Sequence, residues 1–115
     1  PSHTGSAYLR FSPRKAMDLA IASAAAMVRL DDGRCSDCRI VLGAVAPTPV
    51  RATKAEDALR GERPGAGIIE RAAELAAAEA MPISDIRASA EYRRELVKVL
   101  VRRTLFQSIA AAGAS

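Results

Sequence analysis

Along residues 7–12 (Ala-Tyr-Leu-Arg-Phe-Ser) apolar and polar side chains alternate with the two-residue period of a strand, and Pro13 ends the run. The next stretch, 14–30, is rich in Ala, which favours a helix. It leads, however, into Asp31-Asp32-Gly33, a hairpin turn signal that requires a strand on either side. The turn outweighs the propensity, so 22–30 is predicted as a second strand. Residues 38–45 are predicted as a third, returning antiparallel to it and stopped by Pro47 and Pro49.

Beyond Pro49 the pattern changes to helical spacing. Thr53-Lys54-Ala55-Glu56 has the form of a capping box, in which the Thr53 hydroxyl and the Glu56 carboxylate accept from otherwise orphaned backbone N–H groups, and Gly61 stands where a short first helix ends. Ile69, Ala72, Ala73, Ala76 and Ala80 recur at the spacing of a second helix, closed by Pro82. Ser89 is an N-cap for a third and longest helix running to about residue 111. Tyr92, Leu96, Val99, Leu100, Arg103 and Phe106 or Gln107 fall along one side of it, with Arg94, Lys98 and Arg102 on the polar side. Strands first and helices afterwards predict an α+β fold: a three-stranded antiparallel sheet followed by three helices packed on one face (β-β-β-α-α-α). Residues 1–5 have linker composition, 6–111 form the domain, and 112–115 are a tail.

Composition narrows what this fold can be used for. The 115 residues are half hydrophobic but include only two Phe, two Tyr and no Trp, so the core is built from Ala, Val, Leu and Ile in closely packed helices. Lys and Arg number 17 against 13 Asp and Glu, a formal charge of +4 that is spread along the chain. With so few aromatics to stack on bases, and no basic block, nucleic-acid binding is not expected. The apolar run 19–28 is well short of the roughly 20 residues that span a bilayer, so no membrane span is expected. The chain opens on Pro1 with neither an initiator Met nor a signal-peptide pattern, and reads as a piece of a longer protein.

Few residues offer chemistry of their own. Cys35 and Cys38 form a lone C-x-x-C beside a tight turn, a placement in which the two side chains need not face each other. The single His3 does not complete a zinc set of about four ligands, so two unpaired thiols in a reducing cytosol is the expected state, and no metal site is assigned. Gly61-Glu62-Arg63-Pro64-Gly65-Ala66-Gly67 lacks the Gly-Lys-Ser/Thr ending of a P-loop. No Ser-His-Asp or Cys-His set is present, and Asp57, Glu70, Glu74 and Glu79 are expected on solvent faces of helices, so no catalytic residue is assigned.

Two runs go beyond generic character. Residues 6–20 (Ser-Ala-Tyr-Leu-Arg-Phe-Ser-Pro-Arg-Lys-Ala-Met-Asp-Leu-Ala) resemble the opening of the C-terminal domain of the FAD-carrying medium subunit of molybdenum hydroxylases, the carbon monoxide dehydrogenase and xanthine dehydrogenase family. Residues 85–105 resemble its closing helix, and 39–49 and 55–61 are similar to it in kind and order, so the likeness covers about 5–107. It implies a cytoplasmic, multi-subunit oxidoreductase. In that family electrons pass from a molybdopterin centre on a large subunit, through iron–sulfur clusters on a small subunit, to FAD and an external acceptor.

The resemblance further implies that FAD is held mainly by N-terminal domains of the same subunit. The present domain would cover the flavin and dock subunits, and would be inactive alone. Arg10 matches a basic position, often Lys in relatives, that reaches the flavin, and the change to Arg keeps the charge while altering the contact. Lys15 and Asp18 lie in a segment matching a loop near the isoalloxazine edge and are further cofactor-binding candidates. The alternative is a non-catalytic subunit-interaction module of the same fold that binds no flavin.

Overall fold

The structure, a computed structural model, describes residues 3–11, 22–43, 50–80 and 90–114. Its elements run β1 (Thr4–Phe11), β2 (Ala22–Asp31), β3 (Arg34–Gly43), β4 (Val50–Arg51), α1 (Thr53–Leu59), α2 (Ala66–Ala80) and α3 (Ala90–Ala114). The four strands form one antiparallel sheet in the order β1-β2-β3-β4.

The expected hairpin between β2 and β3 is present, and its turn has the backbone that the sequence demands. Asp32 (φ 53°) and Gly33 (φ 76°) both adopt the left-handed conformation of a two-residue turn whose twist suits the strands on either side. Because this turn is so tight, β3 begins at Arg34, four residues before the expected start, with Asp31 paired to Arg34. β1 also begins earlier than expected, at Thr4. Residues 4 and 5, which composition assigned to a linker, pair with Arg29 and Val28, since β2 extends far enough to offer them hydrogen-bond partners. The fourth strand, absent from the expected three-stranded sheet, is two residues long. It adds Val50 and Arg51 to the edge of β3, and the Ala52 N–H donates to the Ile40 carbonyl at 2.8 Å.

Ala24, Ala26 and Val28 of β2 and Cys35, Cys38, Ile40 and Leu42 of β3 face the helices and are buried. α3 lies across β1 and β2, α1 lies on β3, and α2 packs between α1 and α3. The approach of α3 to β1 is as close as backbone allows: a Cβ on Gly5 would collide with the Ser108 carbonyl and the Ala112 N–H, and would sit 2.8 Å from the Ala111 Cβ. An Ala-rich α2 is what permits the helix layer to be this compact, and its Ile69, Ala72, Ala73 and Ala76 are all fully buried, as the spacing predicts.

Two helix expectations are corrected. The capping box at Thr53 and Glu56 does not form: Ala52 is the N-cap and makes no side-chain cap bond, because both partners are engaged elsewhere. Glu56 turns into the core, and the Thr53 hydroxyl donates to Glu79 at 3.3 Å. Gly61 does end α1, with φ 87°. In α3 the buried face is Val97, Leu100, Val101, Thr104, Leu105, Ser108 and Ala112, whereas Phe106, Gln107 and Arg103, expected on that side, are exposed. Two hydroxyl residues sit in the core because each finds an acceptor there: Thr104 Oγ1 donates to the Leu100 carbonyl at 2.6 Å, and Ser108 Oγ shares its proton between the carbonyls of Thr104 (2.8 Å) and Ala26 (3.1 Å). The side chain of Tyr92, the Ser89 cap, Val45, Pro47, Pro49 and Pro82 lie outside the described residues. α3 also runs through Ala114, so most of the expected tail is helix, held by the burial of Ala112 against β1.

Candidate functional site

Among the described residues the helices all lie on one side of the sheet, which leaves its outer face open. β-strand alternation places Ser6, Tyr8 and Arg10 of β1 there, with Ser23, Ala25 and Met27 of β2 and Arg39, Val41 and Gly43 of β3. The register aligns them in three rows: Ser6 with Met27 and Arg39, Tyr8 with Ala25 and Val41, and Arg10 with Ser23 and Gly43. A shallow hollow of about 430 Å³ lies over the first two rows. Tyr8 is 60% exposed and Val41 37%, and they flank Ala25 across the sheet. An apolar strip in the middle of an open sheet face is a surface built to be covered.

The third row is small and basic. Ser23 Oγ occupies the space above Gly43, where an added Cβ would come within 2.5 Å of it, so the surface there is low except for the Arg10 side chain. Arg10 is exposed, and among the described residues no carboxylate pairs with it. These three rows carry two arginines and no acid and so are positive, whereas the next row along the face pairs Arg29 with Asp37. The low row that carries Arg10 lies directly beside the apolar strip. Lys15 and Asp18, the other two candidates, lie outside the described residues.

Alternation within each strand was legible in the sequence, but the rows were not. Tyr8, Ala25 and Val41 become neighbours only through the cross-strand register, and that depends on an irregularity in β3. Arg29 pairs with Asp37 and Leu30 with Cys35, which leaves Ser36 as an extra residue. One such slip exchanges the inward and outward faces on one side of it.

On the other side of the sheet the acids form structural ties. Glu56 is 1% exposed and accepts the Ile40 N–H at 2.9 Å through Oε2. Arg51 Nε donates to both of its oxygens (3.1 and 2.9 Å), so one buried carboxylate joins β3, β4 and α1. Glu70 of α2 binds Arg102 (3.1 Å) and Lys98 (3.3 Å) of α3, and these two cations hold its carboxyl below the usual glutamate range, Arg102 contributing most. Glu79, also expected on a solvent face, caps α1. Among the described residues no group of three or more His, Cys, Asp or Glu is placed to hold a metal, and no helix is long and apolar enough to cross a membrane.

Residues 7–108 match the CO dehydrogenase flavoprotein C-terminal domain. The chain is 34% identical to the xanthine dehydrogenase FAD-binding subunit of Escherichia coli O157:H7 over 111 residues, which are 96% of this chain and 38% of that subunit. It is 38% identical to the nicotine 6-hydroxylase medium subunit of Paenarthrobacter nicotinovorans over 95 residues, 83% of this chain and 34% of that one. Its fold superimposes on carbon monoxide dehydrogenase from Hydrogenophaga pseudoflava with a TM-score of 0.89 at 36% identity, covering 96% of this chain and 38% of that one. The chain thus spans little more than a third of the length of these relatives.

Proposed function

We infer the function from kinship: this chain belongs to the CO dehydrogenase flavoprotein C-terminal domain family, and we propose that it serves as that domain of the FAD subunit of a molybdenum hydroxylase. The observation that carries this reading is similarity to FAD-binding and medium subunits along most of this chain, covering a little over a third of each of these relatives. In this reading the domain is the expected 6–111 together with the few residues by which β1 and α3 extend it, the chain before β1 leads from the flavin-holding part of the subunit, and the protein works in the cytoplasm. Its partners are a molybdopterin-binding large subunit and an iron–sulfur small subunit.

FAD, when bound, accepts electrons from the iron–sulfur clusters and passes them to an external acceptor; the protein supplies position and charge. Arg10 would then extend from the low third row of the outer face toward the flavin, with Lys15 and Asp18 from the adjoining segment. A cation at that place favours the electron-rich reduced ring, and the apolar strip of Tyr8, Ala25 and Val41 excludes water by docking against the rest of the subunit. In this reading the hydroxylated substrate is bound by the large subunit, and this domain does not set its identity.

The exposed Tyr8 and Val41 would serve equally in an interaction module without flavin, and FAD content separates the two readings. Purified full-length subunit is expected to carry FAD, while the 115 residues alone titrate free FAD weakly or not at all in a calorimeter. A full-length subunit folded but free of FAD would leave the docking module standing. Submicromolar binding by the 115 residues alone would refute the division of labour proposed here.

A further inference from the structure

Cys35 and Cys38 are three residues apart, and in an unbroken strand that spacing sends side chains to opposite faces. The extra residue at Ser36 cancels the difference, so both cysteines point into the core and both are 0% exposed. Each thiol donates to a backbone carbonyl at 3.4 Å, Cys35 to Asp37 and Cys38 to Glu56 of α1. Both are free thiols. The bulge therefore puts both thiols on the inner side of β3, close enough to influence each other and near the Arg60 guanidinium, with no third ligand among the described residues to make them a metal centre.

We propose that Cys35 and Cys38 are a dithiol modification site, which a small peroxide closes to a reversible intrastrand disulfide. The environments of the two sulfurs differ in the sense such chemistry requires. The neighbouring Cys38 side chain holds Cys35 below the ordinary thiol range, with help from Arg60, while the same neighbour together with burial pushes Cys38 far above it. Cys35 is the attacking sulfur: its thiolate takes one peroxide oxygen, the O–O bond breaks, and the departing hydroxide becomes water on protonation, leaving a sulfenic acid. Cys38 then attacks the Cys35 sulfur, the S–O bond breaks, and the oxygen leaves as a second water carrying the Cys38 proton. Two thiols lose two electrons and two protons, and one peroxide becomes two waters.

The way in is a backbone strap. The Gly61 N–H donates to the Cys35 carbonyl at 2.7 Å and the Cys35 N–H donates to the Glu62 carbonyl at 2.9 Å, so the exposed 61–62 segment closes over the end of β3 next to Cys35. It is a short exposed loop tied to β3 by these two bonds and by an exposed one from Arg34 Nη1 to the Gly61 carbonyl (3.2 Å), the kind of element that opens locally well before the domain unfolds. Closing the disulfide draws Cys38 away from the Glu56 carbonyl, so the modification is transmitted to α1.

The test treats the folded full-length protein with hydrogen peroxide, quenches, alkylates under denaturing conditions and measures the mass of the peptides. The expected product is a 35–38 peptide lighter by two hydrogens, without added oxygen, and restored by dithiothreitol. In Cys38→Ala the reaction should stop at a sulfenic acid on Cys35 that dimedone traps, and Cys35→Ala should slow oxidation of the remaining thiol by about tenfold or more. Circular dichroism before treatment confirms that each variant is folded. The proposal is overturned if the native protein keeps both thiols fully alkylatable after peroxide, if the disulfide forms only after denaturation, or if Cys35→Ala oxidises as fast as the parent.

Discussion

The Glu79 carboxylate, near the end of α2, accepts the Lys54 N–H at 3.0 and 3.1 Å through its two oxygens and so caps the N-terminus of α1 from another helix. The Ala55 N–H reaches the same group at 3.4 Å. The Thr-x-x-Glu sequence at this helix start suggests a local box, but a carboxylate from α2 has taken the place of the Thr53 side chain. Placed against the positive end of a helix, it also gains from the helix dipole. Glu79→Ala is expected to cost about 0.5–2 kcal/mol, the range for loss of a cap, whereas Thr53→Ala should cost much less. Chemical denaturation of the two variants distinguishes them, and the reverse order would restore the local box.

Glu56 is predicted to matter more. Replacing it with Ala leaves the Ile40 N–H buried without an acceptor and frees Arg51, which is half exposed and regains water. The cost is expected at about 2–3 kcal/mol, set by the orphaned donor more than by the lost ion pair. Glu56→Gln keeps an acceptor for Ile40 and should lose less than half as much. Equal losses in urea melts would show that charge, and not the hydrogen bond, holds β3 to α1.

Gly5→Ala tests the seat of α3. The added methyl meets backbone atoms of Ser108 and Ala112, which cannot swing aside as a side chain can, so α3 must lift from β1. A loss of about 1–3 kcal/mol or more is expected, read as a lowered thermal midpoint. By contrast Gly67→Ala, where a Cβ has open space, should be neutral or stabilising within a helix.

The Glu70 tie between α2 and α3 should depend on pH in a defined direction. Arg102 and Lys98 lower the carboxyl's proton affinity in the folded state, so the tie contributes fully above the unfolded glutamate pKa of about 4.3 and is lost as pH falls through the lower folded value. The stability difference between parent and Glu70→Gln is therefore expected near neutrality and should vanish in acid. Because the group is at the surface, added salt should also shrink it. A difference constant from pH 7 to pH 3 would contradict the ion-pair origin.

For Arg10 the prediction concerns the flavin of the full-length subunit. Arg10→Glu should lower the reduction potential and weaken FAD retention, while Arg10→Lys should change both much less. A charge-assisted contact contributes about 1–3 kcal/mol, and roughly 1.4 kcal/mol corresponds to about 30 mV for two electrons, so the shift is tens of millivolts in a redox titration. If a folded Arg10→Glu subunit retains both potential and FAD content, Arg10 is an ordinary surface charge.

What the residues determined by themselves was local and periodic. Asp32-Gly33 specified the hairpin because few residues tolerate left-handed backbone, and that one turn was enough to make an Ala-rich segment a strand instead of a helix. The spacing of Ile69, Ala72, Ala73 and Ala76 identified the face of α2 that is buried, since one helix face needs no partner to be defined. The ordered motifs likewise carried the family resemblance without a structure. The tertiary structure decided where a residue had more than one possible partner. Glu79 caps α1 and Glu56 leaves its box because β3 offers a buried N–H that only folding brings near. Thr104 and Ser108 lie inside while Phe106 lies outside, because each hydroxyl found a carbonyl one turn back and so sat in the core at little cost. The bulge at Ser36, with no Gly or Pro to announce it, turned two cysteines to the same side and set the register that lines up Tyr8, Ala25 and Val41. A side-chain period can be read from one strand, but a register belongs to a pair of strands, and so it exists only once the chain has folded.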